Sequence, residues 1–91
     1  MAKKTSQIQI INKKGLHARA SAKFVKLTET FDASIKVSKD GVSVCGSSIM
    51  GLMLLAASYG EFITISVEGK DSNKALKAIN TLINNKFDEG I

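Results

Sequence analysis

The chain has 91 residues, enough for one modest hydrophobic core and too few for two, so residues 1–91 are expected to form a single domain. Apolar residues make up 44% and charged residues 23%, a balance that argues against disorder, and every apolar run is too short to cross a bilayer. The formal charge of +5 suits an acidic partner surface, but all but one of the 13 basic residues are lysines spread along the chain without interleaved aromatics, which speaks against nucleic-acid binding.

The opening Met1 to Ser6 lacks the apolar core of a secretion signal, so a cytoplasmic protein is expected. Ser6 to Ile11 then alternates, Ile8 and Ile10 against Gln7 and Gln9, and predicts a half-buried strand. Asn12 to Gly15 reads as a polar loop. From Ala18 to about Thr30 the apolar residues Ala20, Phe24, Leu27 and Phe31 recur at helical spacing, predicting a helix packed on a sheet. Ser34 to Lys39 alternates again. Asp40-Gly41 is a tight-turn signal, so Val42 to Val44 should return antiparallel. Ser48 is a natural N-cap for a short helix over Ile49 to Ala57, and Tyr59-Gly60 ends it. Glu61 to Glu68 gives the last strand, with Ile63, Ile65 and Val67 on one face. The last helix runs through Leu76, Ile79, Leu82 and Ile83 and fades near Asn84-Asn85.

The order β-α-β-β-α-β-α, with one hairpin and helical connections elsewhere, predicts an α+β fold: three helices on one face of a four-stranded antiparallel sheet. The uncovered face would carry Gln7, Gln9, Lys36, Thr64 and Ser66.

Few residue types are available for chemistry. Cys45 has no partner for a disulfide, and with a single histidine a zinc site of the Cys/His type is excluded; no metal and no cofactor are expected. Cys45 reads as a small packed residue at a strand end. No serine or cysteine nucleophile is arranged with an acid partner, and no carboxylate pair appears, so hydrolysis has little support.

The only histidine, His17, and the only arginine, Arg19, lie together in Gly15-Leu16-His17-Ala18-Arg19, where the first helix begins. His17 precedes the apolar stripe, which predicts an exposed ring beside unpaired backbone N–H groups and the positive end of the helix dipole. A guanidinium nearby adds charge-assisted donors for an anion. An imidazole in such a place can accept a phosphoryl group. An ordinary surface or capping histidine is the plain alternative.

Ser48 is a helix cap, and a phosphoserine there would gain from the dipole. Ile49 to Ala57 is apolar nearly all round. Either it is a fully buried helix, or Leu52 and Leu55 face the core while Ile49, Met50 and Met53 form an exposed docking patch; a two-layer domain favours the second.

Together these residues resemble the HPr family, the histidine-containing phosphocarriers of the bacterial phosphoenolpyruvate-dependent phosphotransferase system. Gly15-Leu16-His17-Ala18-Arg19 is similar to the family's active-site signature, and Ser48-Ile49-Met50-Gly51-Leu52-Met53 to the region around its regulatory serine. The resemblance runs from about Ser6 to Ile83 and implies an open-faced β-sandwich.

It also implies a carrier that is a substrate of enzymes rather than an enzyme. Enzyme I would phosphorylate Nδ1 of His17, and the group would pass to an enzyme IIA domain in sugar transport. Arg19 and the amides of Ala18 and Arg19 would hold the phosphate. Ile49, Met50 and Met53 would dock both partners, and Ser48 would be the target of an HPr kinase/phosphorylase where one exists. A monomer is expected.

One departure stands out: the family usually has proline after the arginine, and Ala20 occupies that place. Alanine is itself the best helix former, so the helix should survive. Nitrogen-branch, largely regulatory relatives are similar too, so a chain acting mainly through Ser48 phosphorylation and partner binding is the alternative.

Overall fold

Alternating apolar and polar residues give this chain a sheet with one dry and one wet face. The computed structural model describes residues 3–89. In chain order these form β1 (Lys3–Gln9), α1 (Ala18–Thr28), β2 (Ser34–Lys39), β3 (Val42–Cys45), α2 (Ile49–Leu54), β4 (Phe62–Glu68) and α3 (Ser72–Asn84), followed by a single turn at Lys86–Asp88. The strands lie in the order β1-β4-β2-β3, every pair antiparallel.

The register aligns apolar residues across the strands: Ile8 opposes Ile63, and Val37 opposes Ile65 on one side and Val44 on the other. Ile8, Ile35, Val37, Ile63, Ile65 and Val67 are buried beneath the helices. On the opposite face Gln7, Gln9 and Lys36 are exposed, with Thr64 and Ser66 half-buried. The fold is the expected α+β open-faced sandwich. At the β2–β3 turn Asp40 and Gly41 both adopt positive φ, 51° and 84°, the conformation a two-residue hairpin requires.

The boundaries differ from the sequence-based ones for local reasons. β1 begins at Lys3 rather than Ser6, because Lys3 to Thr5 pair with Ser66 to Glu68 through backbone bonds that hydropathy does not register. α1 ends at Thr28, so Phe31 lies beyond the helix. Its buried stripe is Ala20, Ser21, Phe24, Val25 and Thr28, while Leu27 and Phe31 are only partly buried. α2 stops at Leu54 rather than Ala57, because Ala56 takes a φ of 50° and turns the chain.

Cys45 corrects the expectation of a packed thiol: it is exposed. β3 is an edge strand, and its alternation turns Val44 inward and Cys45 outward. Hydrogen bonds from the Ser47 side chain and backbone, against slight burial and with help from the Lys36 charge, hold its thiol below the usual value.

The segment after α3 carries more structure than its sequence announces. Lys86, Phe87 and Asp88 have φ of 55°, 53° and 61°, three left-handed residues in succession and none of them glycine. Such a residue costs about 1–2 kcal/mol. The turn persists because Phe87 is fully buried in the core, worth about 2–3 kcal/mol, and because the Lys23 ammonium donates to the Phe87 carbonyl at 2.7 Å. No helix among the described residues is long and apolar enough to cross a membrane.

Candidate functional site

The loop into α1 sets the position of His17. Gly15 has a φ of 65°, and a Cβ built there would lie 2.3 Å from the Ala57 carbonyl, so both conformation and space require glycine. The Leu16 N–H donates to that same Ala57 carbonyl at 2.9 Å, tying the loop to the segment that follows α2. His17 then serves as the N-cap of α1 with extended backbone angles. Its side chain makes no capping bond, and its carbonyl accepts from the Ser21 N–H at 2.9 Å.

The helix start is therefore open for a ligand. The N–H groups of Ala18, Arg19 and Ala20, the first three helical residues, have no acceptor within α1. No acidic residue occupies this first turn to neutralise the positive dipole end. Ala18 and Arg19 are exposed, and Arg19 enters no ion pair among the described residues. Ala20 is fully buried, and unlike proline it adds an N–H to the amides at this end. The structure places His17, Ala18 and Arg19 side by side at the start of α1.

One expectation is corrected in degree. The His17 side chain is 26% exposed rather than open, because the Glu89 carboxylate covers its Nε2 edge through a direct contact. The Glu89 side chain is only 8% exposed. Its second oxygen accepts from Asn12 Nδ2 at 3.0 Å, and the same Nδ2 donates to the Gly15 carbonyl at 2.8 Å. Withdrawal from water is the largest single influence on this carboxyl and pushes it up. Hydrogen bonds from Asn12 and His17, with the charges of His17 and Lys14, together outweigh it and hold the group below its ordinary value.

Sequence reading missed Glu89 and Asn12. Only the buried aromatic two residues before Glu89 could have signalled it, since Phe87 in an otherwise polar tail is a ready anchor.

The second cluster surrounds α2. Ser48 caps that helix, its Oγ accepting from the Gly51 N–H at 2.9 Å. Leu52 and Leu55 are buried, while Ile49, Met50 and Met53 are exposed, Met50 by 71%. The all-round apolarity resolves into a core face and an exposed patch, as expected. Leu54, 77% exposed, extends that patch beyond the three residues read from sequence. The Ala57–Leu16 bond keeps the end of this segment next to the His17 loop.

Comparison with known proteins agrees with these features. Residues 4–85 match the family profile described as the PTS HPr component phosphorylation site. The phosphocarrier protein HPr of Cupriavidus necator is 48% identical over 81 residues, covering 89% of this chain and 91% of that protein. The phosphocarrier protein NPr of Shewanella violacea is 40% identical over 89 residues and covers 98% of both. The crystal structure of an HPr from Thermoanaerobacter tengcongensis superposes with a TM-score of 0.92 at 44% identity, covering 97% of this chain and 99% of the other. On the fold, the histidine at its helix start and these matches, the chain belongs to the HPr family of phosphocarrier proteins of the phosphotransferase system.

Proposed function

We propose that residues 1–91 act as one HPr domain that takes a phosphoryl group on Nδ1 of His17 from phosphorylated enzyme I and delivers it to an enzyme IIA domain. The observation that carries this reading is the placement of His17 as an N-cap whose side chain does not cap, beside three amides with no acceptor in α1. Those of Ala18 and Arg19 hold the arriving dianion, and the Arg19 guanidinium neutralises it. Ile49, Met50 and Met53, with Leu54 alongside, offer an adaptable apolar surface to both partners in turn. The chain is a phosphorylated intermediate rather than a catalyst and works in the cytoplasm as a monomer. Where an HPr kinase/phosphorylase is present, Ser48 is its target, and a phosphate there puts charge beside the apolar patch that a partner must desolvate.

Incubation with enzyme I and phosphoenolpyruvate is expected to give an acid-labile, alkali-stable phosphoryl adduct that His17→Ala abolishes. Labelling of His17→Ala as readily as the parent overturns the assignment.

A second reading has its own support. The NPr of Shewanella violacea aligns over 98% of this chain, and Ala20 replaces the family's usual proline. On that reading the chain serves a nitrogen branch and acts mainly through Ser48 and partner binding. Parallel transfer from phosphorylated chain to a sugar-branch and a nitrogen-branch enzyme IIA separates the two. Fast transfer to the sugar-branch protein alone sustains the first; fast transfer to the nitrogen-branch protein alone, or to neither, sustains the second.

A further inference from the structure

The imidazole of His17 has one hydrogen-bonded partner among the described residues, the Glu89 carboxylate at Nε2. A carboxylate held below its ordinary titration range only accepts hydrogen bonds, so Nε2 carries a proton, and in the neutral ring the lone pair lies on Nδ1. We infer that Glu89 is a positioning residue for phosphoryl transfer, fixing the tautomer and orientation of His17 so that Nδ1 is the nucleophile. This inference rests on the reading of His17 as the phosphoryl acceptor.

The surroundings are built to hold that carboxylate in place. Phe87, fully buried, anchors the left-handed turn, and Lys23 on α1 clamps its carbonyl at 2.7 Å. Asn12 is itself fully buried and joins two parts of the site: its Nδ2 donates both to Glu89 and to the carbonyl of Gly15, whose turn delivers His17. Its Oδ1 is buried without a partner. A flipped amide would set that oxygen against the Glu89 carboxylate and the Gly15 carbonyl. The orphaned acceptor is the consequence of turning both N–H groups toward the site.

The chemistry follows from the tautomer. The Nδ1 lone pair forms the N–P bond while the bond from phosphorus to the donor breaks, its electron pair staying with the donor. No proton moves. The ring becomes positively charged, and the charge reaches Nε2–H, which already faces the Glu89 carboxylate. In onward transfer the N–P pair returns to Nδ1 and the ring is neutral again. A carboxylate placed to meet a charge that appears on the imidazole in the reaction performs the orienting role seen wherever a histidine is backed by an acid.

The test compares the parent with Glu89→Gln, Glu89→Asp and His17→Ala. Long-range 1H–15N spectra of the neutral His17 ring are expected to show the lone pair on Nδ1 in the parent, and a mixture of tautomers in Glu89→Gln, whose amide can donate as well as accept. Initial phosphorylation by enzyme I should fall by about tenfold in Glu89→Gln, in kcat rather than KM, with partial rescue in Glu89→Asp. A parent ring with its lone pair on Nε2, or Glu89→Gln phosphorylated at the parental rate, overturns the positioning role and leaves the carrier reading standing. A parent that gains no phosphoryl group on His17 overturns the carrier reading, and the role of Glu89 with it.

Discussion

α1 and α2 both begin on a residue whose side chain the proposed function would phosphorylate, and the two beginnings are built in opposite ways. Ser48 turns its hydroxyl back onto the Gly51 N–H and closes its own helix. His17 leaves the amides of α1 without a side-chain acceptor and gives its ring to Glu89 instead. A hydroxyl on a one-carbon stem reaches the third helical amide, whereas an imidazole drawn to a carboxylate from elsewhere in the chain does not. One helix start is closed by its own side chain, and the other keeps its amides without a side-chain acceptor.

Removing each side chain sharpens this contrast, and the largest effect belongs to His17. His17→Ala is expected to abolish phosphoryl uptake altogether; no capping bond is lost, and the cost in unfolding free energy, about 1–2 kcal/mol, is that of the missing hydrogen bond to Glu89. Autoradiography after incubation with enzyme I, alongside a urea melt, checks both halves. Next comes Phe87→Ala, which tests whether the turn that brings Glu89 to His17 belongs to the core. Deleting a fully buried phenylalanine should destabilise the fold by about 3–5 kcal/mol, lowering the melting temperature by roughly 15 °C or more. A loss within a few degrees would mean that the turn is a loose appendage.

The same contrast governs what the sequence disclosed. Features written in nearest neighbours and periodicity were legible: the alternation of Ile63, Ile65 and Val67, the Asp40-Gly41 hairpin, the Ser48 cap, and the order of elements. So was the split of the second helix into buried Leu52 and Leu55 against exposed Ile49, Met50 and Met53. The amides at His17 follow from its place before a helix. What stayed hidden depends on chain segments far apart. Glu89 meets His17 across 72 positions and Asn12 across 77, and only a turn of three left-handed residues, improbable on local preference, brings them together. Cys45 was misread for a related reason: its exposure depends on β3 being an edge strand, which is a property of the assembled sheet.

Smaller effects refine the comparison. Ser48→Ala removes the capping bond to Gly51 and should cost about 1 kcal/mol in a denaturant melt. A Ser48→Ala chain as stable as the parent would erase the distinction between a closed and an open helix start.

The smallest expected effect is the response to acid. The Glu89 carboxyl is held below its ordinary value in the folded chain, so the unfolded chain binds a proton there more readily than the folded one. Its contribution to stability is therefore fully present above the unfolded carboxyl range, near pH 4.3, and is lost as pH falls through the lower folded value. Between pH 7 and pH 5 the Glu89 carboxyl is ionised in both the folded and the unfolded chain, so its own titration adds no slope there. Below about pH 4 the parent should lose stability more steeply than Glu89→Gln, because the substituted amide has no proton to gain. Urea melts at pH 7, 5 and 3 measure the difference. Curves that run parallel from pH 5 to pH 3 would mean that the Asn12 and His17 hydrogen bonds do not favour the charged carboxylate, and the ring would then lack the acceptor that fixes its Nε2 proton.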